Sequence, residues 1–337
     1  MQRIYVTGAA GFIGFHLCDL LLAEGVRVHG FDGMTDYYDV SLKRRRLAGL
    51  QQREGFGFTE AMLEDNARLA ADMAAFKPDV VVHLAAQAGV RYSLEAPRSY
   101  LSSNIDGTFN VMEASRDLGV KHLLLASTSS VYGANTEMPY RETDKVDTQV
   151  SLYAATKKAT EALSHSWAHL WNVPTTCFRF FTVYGPWGRP DMAPFKFTKA
   201  ILAGDPIDVY GHGNMFRDFT YVTDLVRAIR LLIDAVPERP ESPEAVAEGD
   251  SLSPVAPWRV VNIGNGEKVA LGDFIAAIEA ATGREAKRNL MEMQKGDVRA
   301  TWADNSLLRR LTGYRPETDI RAGMAAFVAW YRDYYRL

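Results

Sequence analysis

The chain has 337 residues, 47% of them hydrophobic and 23% charged, with a formal net charge of −3. These values are typical of a globular protein with about two domains, and they exclude a largely disordered chain. The slight negative charge argues against a nucleic-acid-binding protein, no apolar run approaches the roughly 18 residues of a membrane span, and the two cysteines are too few for a disulfide framework or a zinc site.

Strands and helices alternate through the first half of the chain. The N-terminus enters an apolar strand at residues 3–6 without a signal-peptide pattern, so we expect a cytoplasmic protein. A basic run at 43–46 is typical of a solvated helix face, and the apolar residues at 79–84 are typical of a strand buried on both faces. The remaining predicted elements are helices at 11–24, 103–118 and 153–171 and strands at 26–31, 122–127 and 175–181. This alternation predicts an α/β fold with a Rossmann-type doubly wound parallel sheet.

After residue 181 glycine, proline and aromatic residues interrupt the pattern. We therefore predict a Rossmann domain at 1–181 and a smaller α+β substrate domain at 182–337, with segments at about 217–235 and 258–264 returning to the first domain. Residues 237–257 contain five prolines and few large apolar side chains. Such a segment buries too little surface to offset its ordering entropy, so a mobile insertion is predicted there.

The turn between the first strand and the first helix carries Gly8, Gly11 and Gly14. Small residues let the backbone approach a pyrophosphate, which the N–H groups at the start of the helix then bind. Asp32 ends the second strand, where a carboxylate accepts hydrogen bonds from a ribose diol and repels a 2′-phosphate. The pattern therefore predicts NAD. One alternative is NADP, which Arg44 or Arg45 could admit. The other is a Rossmann-like sheet in which the glycines only form a tight turn and bind no dinucleotide.

Three residues suggest proton-transfer chemistry. Tyr153 and Lys157 are four residues apart on a predicted helix and so share a face. A neighbouring ammonium and a nicotinamide cation both favour the phenolate, which lets a tyrosine act as a base near neutral pH. Thr128 follows a strand end, where ligands bind in this architecture, and its hydroxyl can hydrogen-bond a reacting oxygen.

The motifs TGAAGFIG, HLAAQAGVRYS and STSSVYG, together with Asp32 and Tyr153-x-x-x-Lys157, resemble the extended short-chain dehydrogenase/reductase superfamily. The stretches FRFFTVYGPWGRPDMA, FKFTKAILAG, FRDFTYVTD and GDVRATWAD are similar to its nucleotide-sugar branch, and specifically to UDP-glucuronate 4-epimerases. The resemblance implies a tightly held NAD. It also implies that Tyr153 takes the proton of the 4-hydroxyl, that carbon 4 gives a hydride to the nicotinamide, and that the 4-keto sugar turns over and takes the hydride back on its other face.

The same resemblance implies which residues bind each ligand. Lys157 would hold the nicotinamide ribose and lower the pKa of Tyr153. The implied cofactor-binding residues are Gly8, Gly11, Phe12, Ile13, Gly14, Asp32, Lys43, Leu63, Leu84, Ala85, Ala86, Tyr153 and Lys157. The implied substrate-binding residues are Arg91, Thr128, Ser129, Ser130, Thr182, Arg189, Val209, Arg217 and Asp297.

Three positions bear on the choice among reactions. Dehydratases of this branch carry an Asp-Glu pair where this chain has Ser129 and Ser130, decarboxylases carry Glu at position 130, and galactose-type epimerases and decarboxylases usually carry Asn at Thr182. We therefore favour UDP-glucuronate 4-epimerase. UDP-glucuronate decarboxylase and UDP-glucose 4-epimerase remain alternatives, as does an NAD-sensing scaffold without turnover. The hydroxyls of Thr128, Ser129, Ser130 and Thr182 would hold the substrate carboxylate out of line with the 4-keto group and so suppress loss of carbon dioxide.

Two further expectations come from the resemblance. Relatives commonly have Asp near the adenine where this chain has Met62, so one polar contact to the base is expected to be missing unless Glu64 or Asp65 replaces it. Family members commonly form homodimers through a four-helix bundle, and the helices at 103–118 and 153–171 match the helices of that bundle.

His165 and His169 are four apart on the second of these helices. We expect them on a solvated or interface face, not at a metal.

Overall fold

A parallel sheet of seven strands forms the centre of the molecule. The computed structural model describes residues 1–294 and 298–337. In the first part of the chain the elements are β1 (Arg3–Thr7), α1 (Phe12–Ala23), β2 (Arg27–Asp32), α2 (Val40–Gln51), β3 (Phe56–Glu60), α3 (Asn66–Phe76), β4 (Val80–His83), α4 (Tyr92–Glu95), α5 (Pro97–Tyr100), α6 (Gly107–Asp117), β5 (His122–Thr128), α7 (Leu152–Trp171) and β6 (Thr175–Phe180).

The second part of the chain adds shorter strands and five helices within the described residues. These elements are β7 (Thr182–Tyr184), α8 (Ala193–Ala203), β8 (Pro206–Tyr210), β9 (Phe216–Arg217), β10 (Phe219–Tyr221), α9 (Val222–Asp234), β11 (Trp258–Ile263), β12 (Val269–Ala270), α10 (Leu271–Thr282), β13 (Lys287–Met291), β14 (Ala300–Thr301), α11 (Ser306–Thr312) and α12 (Ile320–Tyr335).

The strand order across the sheet is β3-β2-β1-β4-β5-β6-β11, and every pairing is parallel. The predicted Rossmann-type doubly wound fold is therefore confirmed. The order reverses between β1 and β4, so the loops after these two strands diverge and leave a crevice at their carboxyl ends. Ligands bind at this point in such sheets, and it is here that the glycine turn lies.

The three largest apolar cores among the described residues hold the molecule together. One packs α1 and α9 on a face of the sheet through residues such as Leu21 and Ile229, and a second packs α3, α6 and α7 on the opposite face. The third, formed around Phe195, Phe274 and Phe327, joins α8, α10 and α12 beyond the sheet. None of the helices in the described ranges, 1–294 and 298–337, is both long and apolar enough to cross a membrane.

The basic run at 43–46 differs from its sequence interpretation as a solvated helix face. It lies on α2, where Lys43 and Arg46 are buried and only Arg44 and Arg45 are exposed. Residues three apart share one face of a helix, so the run divides between an inner and an outer face. Arg46 is fully buried, and its guanidinium donates hydrogen bonds to the carbonyl of Ala10 (3.1 Å), the hydroxyl of Tyr38 (2.8 Å) and the carbonyl of Trp187.

The proline-rich segment 237–257 lies against the end of α7 and beside β11. Arg239 donates hydrogen bonds to the carbonyls of His169 (2.8 Å) and Val255 (2.6 Å), and His165 pairs with the hydroxyl of Ser253 (2.8 Å). The two histidines of α7 therefore face this segment, and within the described residues no metal-binding cluster is found. The mobility of the segment stays a prediction.

Candidate active site

A cleft with a volume of about 1060 Å³ opens at the carboxyl ends of the sheet strands. This volume is at the upper end of the roughly 300–1,000 Å³ typical of ligand pockets. Most of the residues that the sequence selected line it: Gly8, Gly11, Phe12, Ile13, Gly14, Asp32, Lys43, Leu63, Leu84, Ala85, Ala86, Arg91, Thr128, Ser129, Ser130, Tyr153, Lys157, Thr182, Arg189 and Arg217.

Two positions of the glycine turn leave no room for a side chain. Gly8 has a φ of +72°, and a Cβ there would lie 2.7 Å from the backbone nitrogen of Ala85. A Cβ on Gly14 would lie 2.0 Å from the carbonyl oxygen of Gly8. The turn is thus packed tightly against α1 and the β4 loop, and it lines the cleft together with Phe12 and Ile13 at the start of α1, where a helix has N–H groups without an intrahelical partner.

Asp32 and its neighbours fit a ribose without a 2′-phosphate. Its carboxylate is nearly buried and accepts hydrogen bonds from the backbone N–H groups of Ala10 (3.1 Å) and Met34 (2.8 Å). These bonds fix its position at the end of β2, beside the glycine turn. Lys43 is also held, because its ammonium donates to the carbonyl (2.7 Å) and hydroxyl (3.1 Å) of Thr35.

The two arginines that would admit NADP are engaged elsewhere. Arg44 forms a two-pronged ion pair with Glu60, with N–O distances of 2.6 and 2.8 Å. Arg45 lies over the ring of Tyr334, 4.5 Å from its centroid. A 2′-phosphate would have to draw one of them out of these contacts while facing Asp32. The site therefore favours NAD.

Thr128, Tyr153 and Lys157 meet at the bottom of the cleft. Thr128 ends β5, while Tyr153 and Lys157 lie in the first turns of α7, which begins after the cap formed by Ser151. All three border the same cavity. The ring of Tyr100 contacts the ring of Tyr153 edge-on, with centroids 6.0 Å apart, and so restricts its rotation.

Burial dominates the electrostatics of these groups. It raises the pKa of Tyr153, whereas the hydrogen bond with Thr128 and the charge of Arg189 act in the opposite direction. Burial also lowers the pKa of Lys157 to about 8, against the attraction of Cys177 and Glu161. The direction for Tyr153 differs from the sequence expectation of a lowered pKa, because removal from water penalises the phenolate more than its protein neighbours stabilise it.

The four hydroxyls predicted to face the carboxylate lie on two adjoining segments. Thr128, Ser129 and Ser130 follow β5, and the Thr128 hydroxyl is 3.2 Å from both the Ser130 hydroxyl and the Ser130 backbone N–H. Thr182 opens β7, where its N–H donates to the carbonyl of Asp218 (3.0 Å). No acidic side chain stands at positions 129, 130 or 182, so this edge presents hydrogen-bond donors.

Arg189 is neutralised by a residue that sequence reasoning missed. Its guanidinium forms a two-pronged pair with Asp191, with N–O distances of 3.0 and 2.5 Å, and Tyr37 donates to the same carboxylate (3.1 Å). The GRPD sequence, with an acid two residues after the arginine, is a signal that could have indicated this pair. A pyrophosphate would have to compete with Asp191 for Arg189.

The remaining predicted substrate residues have different placements. Arg91 lies over the ring of Tyr210, 4.9 Å from its centroid, and Arg217 donates to the carbonyls of Phe216 (2.8 Å) and Arg299 (3.2 Å). Val209 is buried in the third core and is not among the residues that line the cleft. Asp297 lies outside the described residues.

A buried ion pair beneath the active site was also missed. Glu161 and Arg179 are 1% and 2% exposed and form two N–O contacts of 2.9 Å, and Ser127 donates to Glu161 (2.6 Å). The pair connects α7, β5 and β6, which are the elements that carry Lys157, Thr128 and the chain leading to Thr182. Glu161 follows Lys157 by four residues, and this spacing on one helix face is the signal that could have found it.

The chain was compared with known proteins. Residues 4–246 match the NAD dependent epimerase/dehydratase family. A probable UDP-glucuronate 4-epimerase of Rhizobium meliloti (strain 1021) is 53% identical over an alignment of 337 residues, and the match covers 99% of this chain and 98% of that relative. The crystal structure of UDP-glucuronic acid 4-epimerase from Bacillus cereus, in complex with UDP-glucuronic acid and NAD, has a TM-score of 0.86 and 31% identity, and the match covers 99% of this chain and 100% of that one. A Thermotoga maritima UDP-glucose 4-epimerase with UDP-glucose has a TM-score of 0.85 and 28% identity over 99% and 100% of the two chains.

Proposed function

The chain belongs to the NAD dependent epimerase/dehydratase family, and we propose that it interconverts UDP-glucuronate and UDP-galacturonate by inverting carbon 4 of the sugar. The observation that carries this proposal is the composition of one cleft, in which Thr128, Tyr153 and Lys157 lie between a glycine turn and a cluster of hydroxyls. In this proposal residues 1–181 bind NAD, and residues 182–337 supply most of the contacts to the UDP-sugar.

The cleft has the groups that NAD needs. The glycine turn would hold the pyrophosphate, Asp32 the adenosine ribose and Lys157 the nicotinamide ribose, with Leu84, Ala85 and Ala86 along the dinucleotide. When bound, NAD would supply an oxidised nicotinamide ring that can take up a hydride from carbon 4 and return it within the same turnover. The positive charge of the oxidised ring would add to the attraction that Arg189 exerts on a phenolate at Tyr153.

Tyr153 exchanges the proton of the 4-oxygen. As the base it takes the proton when the sugar is oxidised, and as the acid it gives the proton back when the sugar is reduced. The Thr128 hydroxyl, which hydrogen-bonds the phenol, orients the 4-oxygen and passes the proton. The ammonium of Lys157 lies one helical turn away and favours the phenolate.

The hydroxyl cluster keeps the carboxylate of the substrate intact. A 4-keto glucuronate is a β-keto acid, and it loses carbon dioxide when the bond to the carboxylate lies along the carbonyl π system. Ser129, Ser130 and Thr182 donate to the carboxylate and hold it out of that alignment. A glutamate at position 130 would repel the carboxylate, which is why this cleft suits epimerisation better than decarboxylation.

Alanine at Ser130 or Thr182 should increase the share of UDP-pentose among the products by roughly tenfold, because one charge-assisted hydrogen bond to the carboxylate is lost. Chromatography of the nucleotide sugars after incubation with UDP-glucuronate measures this share. Ser166→Ala serves as the control, since Ser166 is exposed on α7 and donates only to the carbonyl of Ala162. Unchanged product ratios in Ser130→Ala and Thr182→Ala proteins that retain NAD would contradict the carboxylate assignment.

The substrate pyrophosphate would bind arginines that line the cleft. Arg189 exchanges Asp191 for the phosphates, and Arg217 and Arg91 border the same part of the cleft. The planar guanidinium group matches phosphate oxygens in pairs, which favours this exchange. Val209 remains a proposed contact to the uracil, although reaching it requires a change at β8, and Asp297 remains a proposed ribose contact.

The test of the proposed function is proton NMR of the purified protein with UDP-glucuronate, first without and then with added NAD. UDP-galacturonate is the expected product. Release of a UDP-pentose or UDP-4-keto-pentose would instead establish the decarboxylase alternative. Conversion of UDP-glucose but not UDP-glucuronate would establish the UDP-glucose 4-epimerase alternative and remove the role given to Thr182.

We also propose a homodimer that joins α6 and α7 of each chain in a four-helix bundle. These helices leave the large apolar side chains of Phe109, Leu170 and Trp171 exposed. Exposed apolar side chains that lie together often mark a surface that binds another protein. Light scattering at micromolar concentration should give twice the chain mass, and Phe109→Lys should shift the mass towards that of one chain. A single-chain mass for the unaltered protein would refute this proposal.

A cytoplasmic location is proposed on the state of the cysteines. Cys18 and Cys177 are both buried and unbridged, and burial raises the pKa of Cys177 to about 12, which keeps it an unreactive thiol. Such thiols suit a reducing compartment. Fractionation of cells that produce the protein tests this location.

A further inference from the structure

The connection between β3 and α3 borders the cleft on the side of Asp32 and contains Glu64. One carboxylate oxygen of Glu64, Oε1, accepts a hydrogen bond from the hydroxyl of Ser103 (2.9 Å). The other, Oε2, is shielded from solvent and has no hydrogen-bond partner among residues 1–294 and 298–337. A shielded carboxylate oxygen without a donor is costly, so such a group calls for a donor that arrives with a ligand.

The neighbouring polar groups of this connection are already used. The Asp65 carboxylate accepts from the backbone N–H of Arg68 (3.0 Å) at the start of α3, and the Leu63 carbonyl accepts from the Asn110 side chain (2.8 Å). Met62 brings a thioether, and its sulfur would be 2.4 Å from a Cβ on Gly33. Asp65 is not among the residues that line the cleft, whereas Glu64 is, so Glu64 brings the carboxylate of residues 61–65 that faces the cleft.

The position of Glu64 relative to Asp32 indicates which part of a dinucleotide it meets. Asp32 ends β2, Gly33 follows it, and Met62, Leu63 and Glu64 lie along the same wall of the cleft. If Asp32 holds the adenosine ribose, the base extends from that ribose towards this wall. The adenine base presents an exocyclic amine, which donates hydrogen bonds, whereas a carboxylate only accepts them.

We propose that Glu64 recognises the exocyclic amine of the adenine in NAD. The inference rests on the proposed use of NAD and adds a residue that selects the base. The Ser103 hydroxyl donates to Oε1. The χ3 torsion of a glutamate varies broadly at little energetic cost, so a small rotation of the carboxylate turns Oε2 towards the base. Met62 packs beside Gly33 and carries no strong hydrogen-bonding group, so it cannot supply the polar recognition of the base.

A dinucleotide with hypoxanthine in place of adenine tests this proposal. Hypoxanthine carries a carbonyl where adenine carries the amine, so the carboxylate of Glu64 would face another acceptor. The full chain is equilibrated with an equimolar excess of NAD and nicotinamide hypoxanthine dinucleotide, and the bound nucleotides are extracted and quantified. The unaltered protein should retain at least tenfold more NAD than the analogue, because an unmatched polar group at the base is strongly disfavoured.

Glu64→Gln provides the decisive variant, because an amide can donate to the hypoxanthine carbonyl and accept from the adenine amine. It should lower the selectivity for NAD by at least tenfold. Ser103→Ala should lower the selectivity by a smaller factor, and the matched control Met62→Leu, on the same wall of the cleft, should leave it unchanged. Wild-type selectivity in Glu64→Gln, or no selectivity in the unaltered protein, would overturn the proposal.

Epimerisation of UDP-glucuronate is scored separately on the same samples by NMR. A protein that selects NAD through Glu64 but does not epimerise supports this inference and refutes the proposed function. A protein that epimerises with equal use of both dinucleotides refutes this inference alone. Absence of bound nucleotide in every sample refutes both.

Discussion

Replacing Tyr153 with phenylalanine should lower kcat by about 10²–10⁴-fold, the range that removal of a general acid–base group produces. The substitution removes only the hydroxyl, and the ring keeps its edge-on contact with Tyr100. NAD should stay bound, because the glycine turn and Asp32 are unaltered. Initial rates of UDP-galacturonate formation, with the bound nucleotide quantified in parallel, measure the effect.

Tyr100→Phe is the matched control for this experiment. It removes a hydroxyl from the ring that packs against Tyr153, but that hydroxyl donates to the carbonyls of Ala88 (3.0 Å) and Gly89 (2.5 Å). We expect the loss in kcat to be far smaller than that of Tyr153→Phe. Equal losses in the two variants would mean that the packing of the rings, and not proton transfer by Tyr153, limits the reaction.

Replacing Arg179 with methionine should lower the free energy of unfolding by about 3–5 kcal/mol, because the Glu161 carboxylate is left buried without its main partner. Burial would raise the pKa of Glu161, but the charge and hydrogen bonds of Arg179, with the Ser127 bond, hold that pKa below its ordinary value. Lys158, 3.5 Å from the second oxygen, is partly exposed and compensates poorly. The midpoint of urea unfolding measures the loss.

The double variant Glu161→Leu/Arg179→Met separates a buried charge from poor packing. With both charges gone, most of the stability should return, as replacement of a buried pair by apolar residues is often neutral. If Arg179→Met unfolds at the wild-type urea concentration, the pair contributes nothing to stability.

The lowered pKa of Glu161 also sets how the stability depends on pH. The contribution of the pair to stability is present above the pKa of the unfolded glutamate, about 4.3, and is lost as the pH falls through the lower pKa of the folded state.

The sheet and the position of the cleft could be predicted from local patterns in the sequence. Apolar strands, the glycine turn and the acid after β2 each follow from neighbouring residues, and the order of a doubly wound sheet then brings them to one edge. Thr128 and Tyr153 were found in the same way, since a strand end and a helix start both have sequence signals.

Contacts between distant segments could not be predicted in this way. The burial of Arg46 depends on the carbonyl of Trp187, which is 141 residues away. The raised pKa of Tyr153 depends on how far the folded chain excludes water, and not on the spacing of Lys157 alone. Val209 was expected to face the uracil, but the sequence does not say which face of the short strand β8 turns towards the cleft.

Arg46 has a consequence for how long the coenzyme stays on the protein. It ties the carbonyl of Ala10, in the glycine turn, to the carbonyl of Trp187, and His16 hydrogen-bonds the carbonyl of Pro186 (2.9 Å) beside it. The segment that leads to Arg189 is thus fastened to the wall that would enclose the dinucleotide. We therefore expect the dinucleotide to leave the protein more slowly than the product does, and the rate of epimerisation to be insensitive to the ratio of oxidised to reduced dinucleotide in the surroundings.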